Sequence, residues 1–503
     1  AVGSLALDAN TTGQFNVAVG KGCASANTTG EKNVAIGTDA MGSNTTADNN
    51  TAVGNSALFA NTTGEDNVAV GALSADALTT GSRNTAIGRS ALTLDTAGER
   101  AVAVGFGALQ TQNFTSDTDN YNVGIGYNAG ALISTGTVNT LVGGLCGDAI
   151  TTGASNVAVG YLSLSANTTA DNNTAVGAAA LLSNTTGAGN VAVGHQALDA
   201  NTTGANLVGI GSAALGANTT ANNNTAVGAA ALLANTTGDE NTAVGVSSLD
   251  ANTTGANLVA VGMHCLGGNT TGNNNTAVGH GALFASTTAS ENTAVGFAAG
   301  DSITTGTNNT IIGRGAATNQ TTGSHNTVIG TDAGSNITTK SESILIGREA
   351  NTSSNTASEI VIGNSVSGKG DNTGFIAPPG GGNLFQATNA TTFAQVSDAR
   401  IKKNIVDNNN GLTKLKNIQV RNFEYRTEEE VTELPSHLAV NQEGIQLGVI
   451  AQEIEKVLPE VVITESTGVK TVNPDNITWY LVNAVKELST QVDELKAKLN
   501  EGE

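Results

Sequence analysis

A glycine preceded by Val or Ile recurs along the first three quarters of this chain. From Gly3 to Gly105 it returns at every seventeenth position; a four-residue insertion precedes Gly126, and the regular spacing then holds from Gly143 to Gly347. A last copy lies at Gly363, and all 22 copies carry Val or Ile before the glycine. A fixed period of this kind is typical of architectures in which one short unit stacks on the next. The sequence therefore predicts an elongated repeat fold and not a series of globular domains.

The repeat at residues 50–64 shows what one unit contains. Thr51 and Val53 alternate with Ala52, which is the period-2 pattern of a strand, and Gly54 ends it at a corner. A second short apolar stretch lies at 57–58, and Asn-Thr-Thr-Gly at 61–64 predicts a second corner. Two short strands and two corners describe one coil of a β-solenoid. The predicted fold class is mainly β, with about 22 coils over residues 1–363, roughly 100 Å long at ~4.8 Å per coil.

Stacking the coils places Val53 between Ile36 and Val70, and we expect this aliphatic ladder to lie inside the solenoid. Leu58 begins a second apolar row, for which two interpretations are open. The leucines fill the interior of their own coil, or, as we favour, part of the row packs around the central axis of a homotrimer. The equivalent residues in other coils include Leu92, Leu181, Leu232 and Leu283.

Composition and charge exclude several classes of function. The formal charge is −21, and no Lys or Arg occurs between Arg100 and Arg314, so the repeats cannot neutralise phosphates and no nucleic-acid partner is expected. No apolar run approaches the roughly 18 residues typical of a membrane span, so no membrane insertion is expected either. The cysteines lie seven coils apart, about 30 Å, which is too far for a disulfide or shared metal. Cys23, Cys146 and Cys265 are predicted to be buried packing residues, and no metal or other cofactor is expected.

The repeated Asn-Thr-Thr corners invite two further interpretations. Each one matches the glycan acceptor pattern, but we expect the triplet to recur because the corner recurs. The threonine rows also suggest an ice-binding surface. Adjacent residues of a strand point to opposite faces, whereas a flat ice-facing array needs threonine at alternate positions, so ice binding is the weaker interpretation.

The pattern changes after Gly363. Residues 364–396 contain Pro-Pro-Gly-Gly-Gly at 378–382 and are predicted to form a junction. Residues 397–503 have ordinary α/β patterning, with strands expected at 445–450 and 460–464 and a helix at 451–458. A final helix is predicted to begin at Asn473-Pro474-Asp475. Its apolar residues are spaced 4, 3, 4, 3 and 4, which predicts a coiled coil over about 475–500: Leu481, Val485, Leu488, Val492, Leu495 and Leu499. The alternative is one amphipathic helix that packs on its own domain.

Three ordered motifs in this region carry a resemblance to a known family. They are Ser-Asp-Ala-Arg-Ile-Lys-Lys-Asn-Ile at 397–405, Leu-Gly-Val-Ile-Ala-Gln-Glu at 447–453, and Leu-Pro-Glu-Val-Val at 458–462. Together they resemble the intramolecular-chaperone autoprocessing domain of phage tail spikes, including endosialidases. The Asn-x-Val-Ala-Ile-Gly core of the repeats is similar to the head repeats of trimeric autotransporter adhesins and to viral fibres, although those adhesin units are shorter than the repeat of this chain.

The chaperone resemblance implies a domain that trimerises, assists folding of the β-rich trimer upstream, and then cuts itself off. Carried onto this chain, the cut falls between Val396 and Ser397, with Ser397 as nucleophile and Lys402 as its base. Because an ammonium cannot accept a proton, Lys402 must be held neutral by burial or by the nearby cations Arg400 and Lys403. The alternative is that Lys402 and Lys403 are surface charges in a relative that does not cleave.

These observations predict a structural or adhesive fibre, such as the shaft of a viral tail fibre, whose only enzymatic activity is a single-turnover Ser-Lys autoproteolysis. The expected partner is the chain itself, as a homotrimer, with a host-cell-surface receptor or glycan as a second candidate. An extracellular or virion location is expected. The alternatives are a bacterial cell-surface trimeric adhesin with a non-cleaving domain and a monomeric ice- or surface-binding solenoid. Because residue 1 lies inside a repeat, we expect a further N-terminal segment.

Overall fold

A computed structural model describes residues 1–355, 358–377, 384–386, 404–434, 439–440, 442–465 and 467–501. The chain divides into two compact units, Ala1–Glu291 and Asn292–Glu503, which are described separately here. The fold is mostly β, with a β-solenoid of about 21 turns of 17-residue repeats and a small C-terminal α/β region that ends in a helix. The predicted fold class is confirmed.

The first unit consists of stacked coils, each with a strand of three residues. The strands are β1 (Val17–Val19), β2 (Val34–Ile36), β3 (Thr51–Val53), β4 (Val68–Val70), β5 (Thr85–Ile87), β6 (Gly98–Glu99), β7 (Val102–Val104), β8 (Thr118–Asp119), β9 (Val123–Ile125), β10 (Thr140–Val142), β11 (Val157–Val159), β12 (Thr174–Val176), β13 (Val191–Val193), β14 (Val208–Ile210), β15 (Thr225–Val227), β16 (Thr242–Val244), β17 (Val259–Val261) and β18 (Thr276–Val278). The two-residue strands β6 and β8 lie in consecutive coils, with β8 in the coil that carries the insertion, and they pair with each other in parallel.

Each three-residue strand pairs in parallel with the equivalent strand of the next coil. Thr51 faces Val68 and Val53 faces Val70, so each strand residue meets its own equivalent one repeat later. At the insertion the sequence separation between paired residues increases, so that Val102 of β7 pairs with Val123 of β9. The four extra residues therefore leave the main ladder in register.

The second unit continues with β19 (Thr293–Val295), β20 (Thr310–Ile312), β21 (Thr327–Ile329), β22 (Ile344–Ile346), β23 (Glu359–Gly363), β24 (Thr373–Ala377) and β25 (Leu384–Gln386). Strands β19 to β24 pair in parallel, and β25 pairs with β24 in the antiparallel sense. The C-terminal region contains α1 (Leu412–Leu415), β26 (Arg421–Phe423), β27 (Gln446–Gly448), α2 (Ala451–Val457), a 3₁₀ helix (Pro459–Val461), β28 (Val462–Thr464), β29 (Lys470–Val472) and α3 (Pro474–Asn500). Strands β24 and β25 both lie within residues 364–396, which we predicted to form a junction.

In most coils the inner face of the strand carries alanine, and the valines or isoleucines on either side of it face outward. Ala52 is fully buried, whereas Val53 is half-buried and its ladder neighbour Ile36 is 38 % exposed. We expected the valine ladder to lie inside the solenoid, and this is wrong because these side chains face outward. The predicted stacking of Ile36 on Val53 is confirmed.

Where Leu58 fills the coil interior, the strand has room for only a methyl group on its inner face, so the β-branched neighbours of Ala52 point outward. Where the equivalents of Leu58 are Gly130 and Gly147, the inner strand position instead holds the fully buried Leu141.

The leucine row fills the coil's own interior. Leu58 and Leu92 are fully buried within a single chain, as are Leu181, Leu232 and Leu283. Our preferred interpretation, in which part of this row packs around a trimer axis, is wrong. A leucine that is already removed from water by its own coil has no apolar surface left for a neighbouring chain.

The second apolar stretch of each coil is a turn, so the prediction of two strands per coil is wrong. Ser56 and Leu58 adopt left-handed conformations, with φ of 54° and 52°. Backbone hydrogen bonds to the next coil nevertheless continue through the turn, for example from the amide of Leu58 to the carbonyl of Ser74 at 2.9 Å. Left-handed backbone costs about 1 kcal/mol for a side-chain-bearing residue, and burial of the leucine side chain offsets it by about 2 kcal/mol.

The repeat glycine is required by its backbone conformation and by its neighbour. Gly54 has φ of 141°, a region that side-chain-bearing residues rarely adopt. A Cβ at this position would lie 2.6 Å from the carbonyl carbon of Gly71 in the next coil. Since every coil stacks its glycine on the next one, any side chain here would separate the coils.

Two rows of buried asparagine supply the polar part of the interior. In the corner row, Asn44 donates from Nδ2 to Oδ1 of Asn27 at 2.7 Å, and the pattern repeats from coil to coil. In the row that precedes the strands, Asn50 accepts from the amide of Asn67 at 2.9 Å and donates to the carbonyl of Gly64 at 2.8 Å. These bonds satisfy backbone groups at the corners, where the strand ladder stops.

The asparagine rows explain the Asn-Thr-Thr triplets. Asn61 and Asn201 are fully buried, and their amides are engaged in the corner row. The hydroxyl of Thr62 donates to the carbonyl of Thr79 at 3.2 Å, one coil away. The triplet therefore recurs because the corner needs it, and the folded coils do not present these asparagine amides to a glycosylating enzyme.

The three cysteines are fully buried, as predicted. Cys23 and Cys146 donate to the carbonyls of Gly20 and Gly143 at 3.0 and 3.1 Å. Ser74, at the equivalent position of its coil, makes the same bond to Gly71 at 2.9 Å. Burial raises the pKa of Cys146 and of Cys265 to about 12, because the thiolate loses its hydration.

Candidate functional site

The predicted cleavage residues Val396, Ser397 and Lys402 lie outside the residues that the structure describes, as do Arg400 and Lys403. The description of the C-terminal domain begins at Asn404. It includes both of the other sequence motifs, at 447–453 and 458–462.

The motif residues build the small core of this domain. Ile454, Leu458 and Val461 are buried where α2 meets the 3₁₀ helix, so the motif at 458–462 contributes two of these three side chains. The packing of these elements follows from Pro459, which ends α2 and begins the 3₁₀ turn. Partly buried apolar residues complete the core: Ile418, Val449, Val457, Val462, Val472, Ile477 and Tyr480.

Charged and polar contacts fix the motifs to the rest of the domain. Arg421 on β26 donates two hydrogen bonds to the Glu453 carboxylate of α2, at 3.0 and 3.2 Å, and lowers the pKa of that exposed carboxyl. Tyr480 of α3 donates a short hydrogen bond to Glu460, which lowers the pKa of Glu460 and raises that of the phenol. The second contact joins the 458–462 motif to the last helix.

The segment that follows the predicted site lies against α3. Nδ2 of Asn483 donates to the carbonyl of Asn408 at 2.6 Å, and the amide of Leu412 donates to Glu487 at 3.2 Å. Gly411 packs directly on the helix backbone, because a Cβ there would lie 2.5 Å from the carbonyl carbon of Asn483. Sequence reasoning missed this contact, since no spacing pattern marks an asparagine that bonds to a backbone so distant in the chain.

Helix α3 begins as predicted and exposes most of its apolar residues. The side chain of Asn473 caps it by accepting from the amide of Asp475 at 3.0 Å, and Pro474 occupies the first turn. Val485 is 59 % exposed and Leu495 65 %. Between α1 and α3 an apolar groove runs along the first half of this row, lined by Leu412, Leu415, Lys416, Leu481, Ala484, Val485 and Leu488. A helix that leaves such a stripe in water is typical of one that pairs with another helix.

The solenoid coils also expose a regular apolar row. It is formed by the Val or Ile before each repeat glycine, with β-branched residues two positions earlier on the same face of the strand. The row includes Val19, Ile36, Ile87, Ile125, Val159, Ile210, Val244, Val261 and Val278 in the first unit, each 36–41 % exposed.

Within the described ranges, no group of three or more His, Cys, Asp or Glu side chains is arranged to hold a metal ion. Among the same residues, no helix is long and apolar enough to cross a membrane. The arrangement of described residues therefore offers surfaces for association and a domain built around two of the three motifs.

The family comparison places the C-terminal region. Residues 397–463 match the family described as chaperone of endosialidase. The match begins at Ser397, the residue predicted to be the nucleophile, and spans the motifs at 447–453 and 458–462. No curated protein matches this chain. The predicted resemblance to an endosialidase-type chaperone domain is confirmed.

Proposed function

We propose that this protein is a homotrimeric, tail-spike-like fibre whose C-terminal domain aligns three chains, directs folding of the solenoid, and then cleaves itself off before Ser397. The family match at 397–463 carries the proposal, because it joins a chaperone domain to a repeat solenoid in one chain. We place the fibre outside the cell, on a virion, with a cell-surface appendage as the alternative.

The need for such a domain follows from the repeats. Every coil offers the same ladder and nearly the same outward apolar row, so three chains pair out of register at almost the same free energy as in register. A non-repeating domain at one end removes this degeneracy by bringing three equivalent points together first. The later coils then stack from a fixed starting register.

Helix α3 is the proposed meeting point of the three chains. Val485 and Val492 alternate with leucines at a and d positions of the heptad, and the stripe is exposed in the single chain. Val at a with Leu at d favours two strands in isolated parallel coiled coils. We therefore assign the choice of three chains to α3 together with α1, whose leucines widen the apolar stripe into a groove.

The proposed cleavage is an intramolecular acyl shift followed by hydrolysis. The Ser397 hydroxyl attacks the carbonyl carbon of Val396 through a five-membered ring, while the neutral amine of Lys402 takes the hydroxyl proton. The C–N bond then breaks, the proton passes to the leaving amine of Ser397, and the acyl group is held as an ester. Water hydrolyses that ester, which yields the Val396 carboxylate and restores the hydroxyl.

A denaturing gel tests the cleavage. The wild-type chain should give two fragments, a larger one that ends at Val396 and a smaller one that begins at Ser397 on N-terminal sequencing. Ser397→Ala and Lys402→Ala should each leave one full-length band while still forming soluble trimers. Ser358→Ala, outside the matched region, is the control and should cleave as wild type. Cleavage of Ser397→Ala at the wild-type rate contradicts the proposed nucleophile.

Sedimentation tests the assembly separately. Uncleaved Ser397→Ala should sediment at three times the mass of one chain. A monomer showing thermal hysteresis in freezing solutions would instead support the ice-binding alternative. A trimer that never cleaves under folding conditions would support the cell-surface adhesin with a non-cleaving domain.

A further inference from the structure

Three exposed aromatic side chains of the first unit share one row, the position directly after the repeat glycine. Phe106, Tyr127 and Tyr161 occupy it and are 45, 55 and 59 % exposed. Aromatic residues make up only 3 % of the chain, so three in one surface row within a few coils is a marked local enrichment. Exposed aromatic groups of this kind are typical of ligand-binding surfaces.

The row is a stack of parallel planar groups. The rings of Phe106 and Tyr127 lie 5.6 Å apart at an interplanar angle of 13°. The guanidinium carbon of Arg89, one coil earlier in the same row, lies 5.9 Å from the centre of the Phe106 ring. Both faces of Phe106 are therefore covered, whereas the stack ends at the far face of Tyr127.

The next position in the stack is vacant because it holds Gly144. A Cβ there would contact Cδ2 of Tyr161 at 3.7 Å, an ordinary van der Waals distance, and nothing else within 4 Å. Tyr127 and Tyr161 are two coils apart, about 9.6 Å at ~4.8 Å per coil. The two tyrosines thus lie on either side of the Gly144 position, and the Tyr161 ring leans toward it.

We propose that this position, the tyrosine slot formed by Tyr127, Gly144 and Tyr161, binds a pyranose ring of a glycan. A ring above Gly144 would lie between two tyrosine side chains whose coils are about 9.6 Å apart, and aromatic faces stack on rings at separations of about 4.5–7 Å. The C–H faces of a pyranose match the two aromatic faces, and its hydroxyl edge remains hydrated because the slot is open to solvent. The inference rests on the proposed adhesive role of the fibre and names its partner class, but it does not depend on self-cleavage.

Filling the vacant position is the sharpest test. Gly144 has no left-handed backbone conformation, so Gly144→Tyr completes the stack without strain and should abolish binding while the coils stay folded. The matched control is Ala178→Tyr, which adds a tyrosine to the same row one coil beyond Tyr161. The probe is a printed array of pyranose oligosaccharides and bacterial surface polysaccharides, with fluorescently labelled wild-type fibre as the reference.

Wild-type fibre should bind at least one glycan of the array. Gly144→Tyr, Tyr127→Ala and Tyr161→Ala should each reduce that binding at least tenfold, whereas Ala178→Tyr should leave it within twofold. Equal binding by all variants, or no retention of any array member by wild type, overturns the slot and leaves the fibre assignment intact. A change in sedimenting mass for the tyrosine variants, without a change in glycan binding, also overturns it by showing that the row joins chains.

Discussion

The coils and the C-terminal domain bury their apolar surface in opposite ways. In a coil, Ala52, Leu58 and Asn61 are fully buried by the same chain and its next repeat. In the C-terminal domain the described core has three fully buried residues, centred on Ile454, whereas Leu447 and Leu499 are each 77 % exposed. A coil is satisfied by its neighbours along the chain, and the domain is left with apolar surface to cover.

The two regions differ in what they contribute: the coils contribute stability, and the C-terminal domain contributes a specific alignment in the proposed assembly. Repeated coils add nearly equal increments of stability, but one coil cannot be told from the next. The sequence of the C-terminal domain does not repeat, so in the proposed assembly its exposed stripe would define a single arrangement of chains. We infer that a repeat fibre needs a non-repeating region to set its register, and the following experiments test this division.

The largest effect is expected from a charge in the α3 stripe. Leu488→Lys places an ammonium in the proposed seam and should prevent trimer formation, since the loss of one buried leucine costs about 3 kcal/mol in each of three chains. The measure is the trimer fraction in sedimentation velocity. Glu494→Lys, outside the a and d positions of the same helix, is the matched control. Full trimer assembly by Leu488→Lys would show that the coils align the chains by themselves.

The next largest effect concerns the repeat glycine. Gly143→Ala forces a side chain into a backbone with φ of 146° and places its Cβ 2.7 Å from the carbonyl carbon of Gly160. We expect a loss of about 4 kcal/mol in local stability, visible as proteolysis at this coil. Gly144→Ala, one residue later, lacks both constraints and should change stability by less than about 0.5 kcal/mol. Equal behaviour of the two variants would contradict the stacking argument.

The asparagine rows should give an intermediate effect. Asn235→Ala removes the donor to Oδ1 of Asn218 and to the carbonyl of Gly238, leaving buried acceptors unpaired, and should destabilise the coil by about 2 kcal/mol. Amide hydrogen exchange around residue 235 measures it. Thr237→Ala, exposed at the same corner, should leave exchange unchanged. If the amides of both variants exchange at the same rate, the buried asparagine row contributes no more to stability than the exposed threonine.

The smallest effect at neutral pH is expected from the cysteines. Because burial raises the folded-state pKa of Cys146 and Cys265 from about 9 to about 12, folding favours the neutral thiol. Their contribution to stability is complete below pH 9 and is lost as the pH rises toward 12. Iodoacetamide at pH 8 should label these thiols only after denaturation, and mass spectrometry of native fibre checks this. Rapid labelling of the native fibre would show that the coil interior opens.

The amino-acid sequence by itself determined the coil length, the parallel register and the positions of β27, α2 and α3, but not those of α1, β26 and β29. Its repeat period requires residue 51 to meet residue 68, and Pro474 with Asn473 marks the start of α3. The three family motifs are contiguous segments of sequence, so they too can be recognised without a structure. The cleavage residues Ser397 and Lys402 remain predictions, since they lie outside the described part of the chain.

Only the tertiary structure decided which side of each strand faces inward. An alternating triplet such as Thr51, Ala52 and Val53 is compatible with either facing, and hydrophobicity alone favours valine inside. In this coil the interior is already filled by Leu58 and the asparagine rows, so the strand contributes only the methyl group of Ala52 and Val53 faces outward. The sequence likewise does not mark Gly144 as part of a binding site, because only the stacking of coils places Tyr127 and Tyr161 on either side of it.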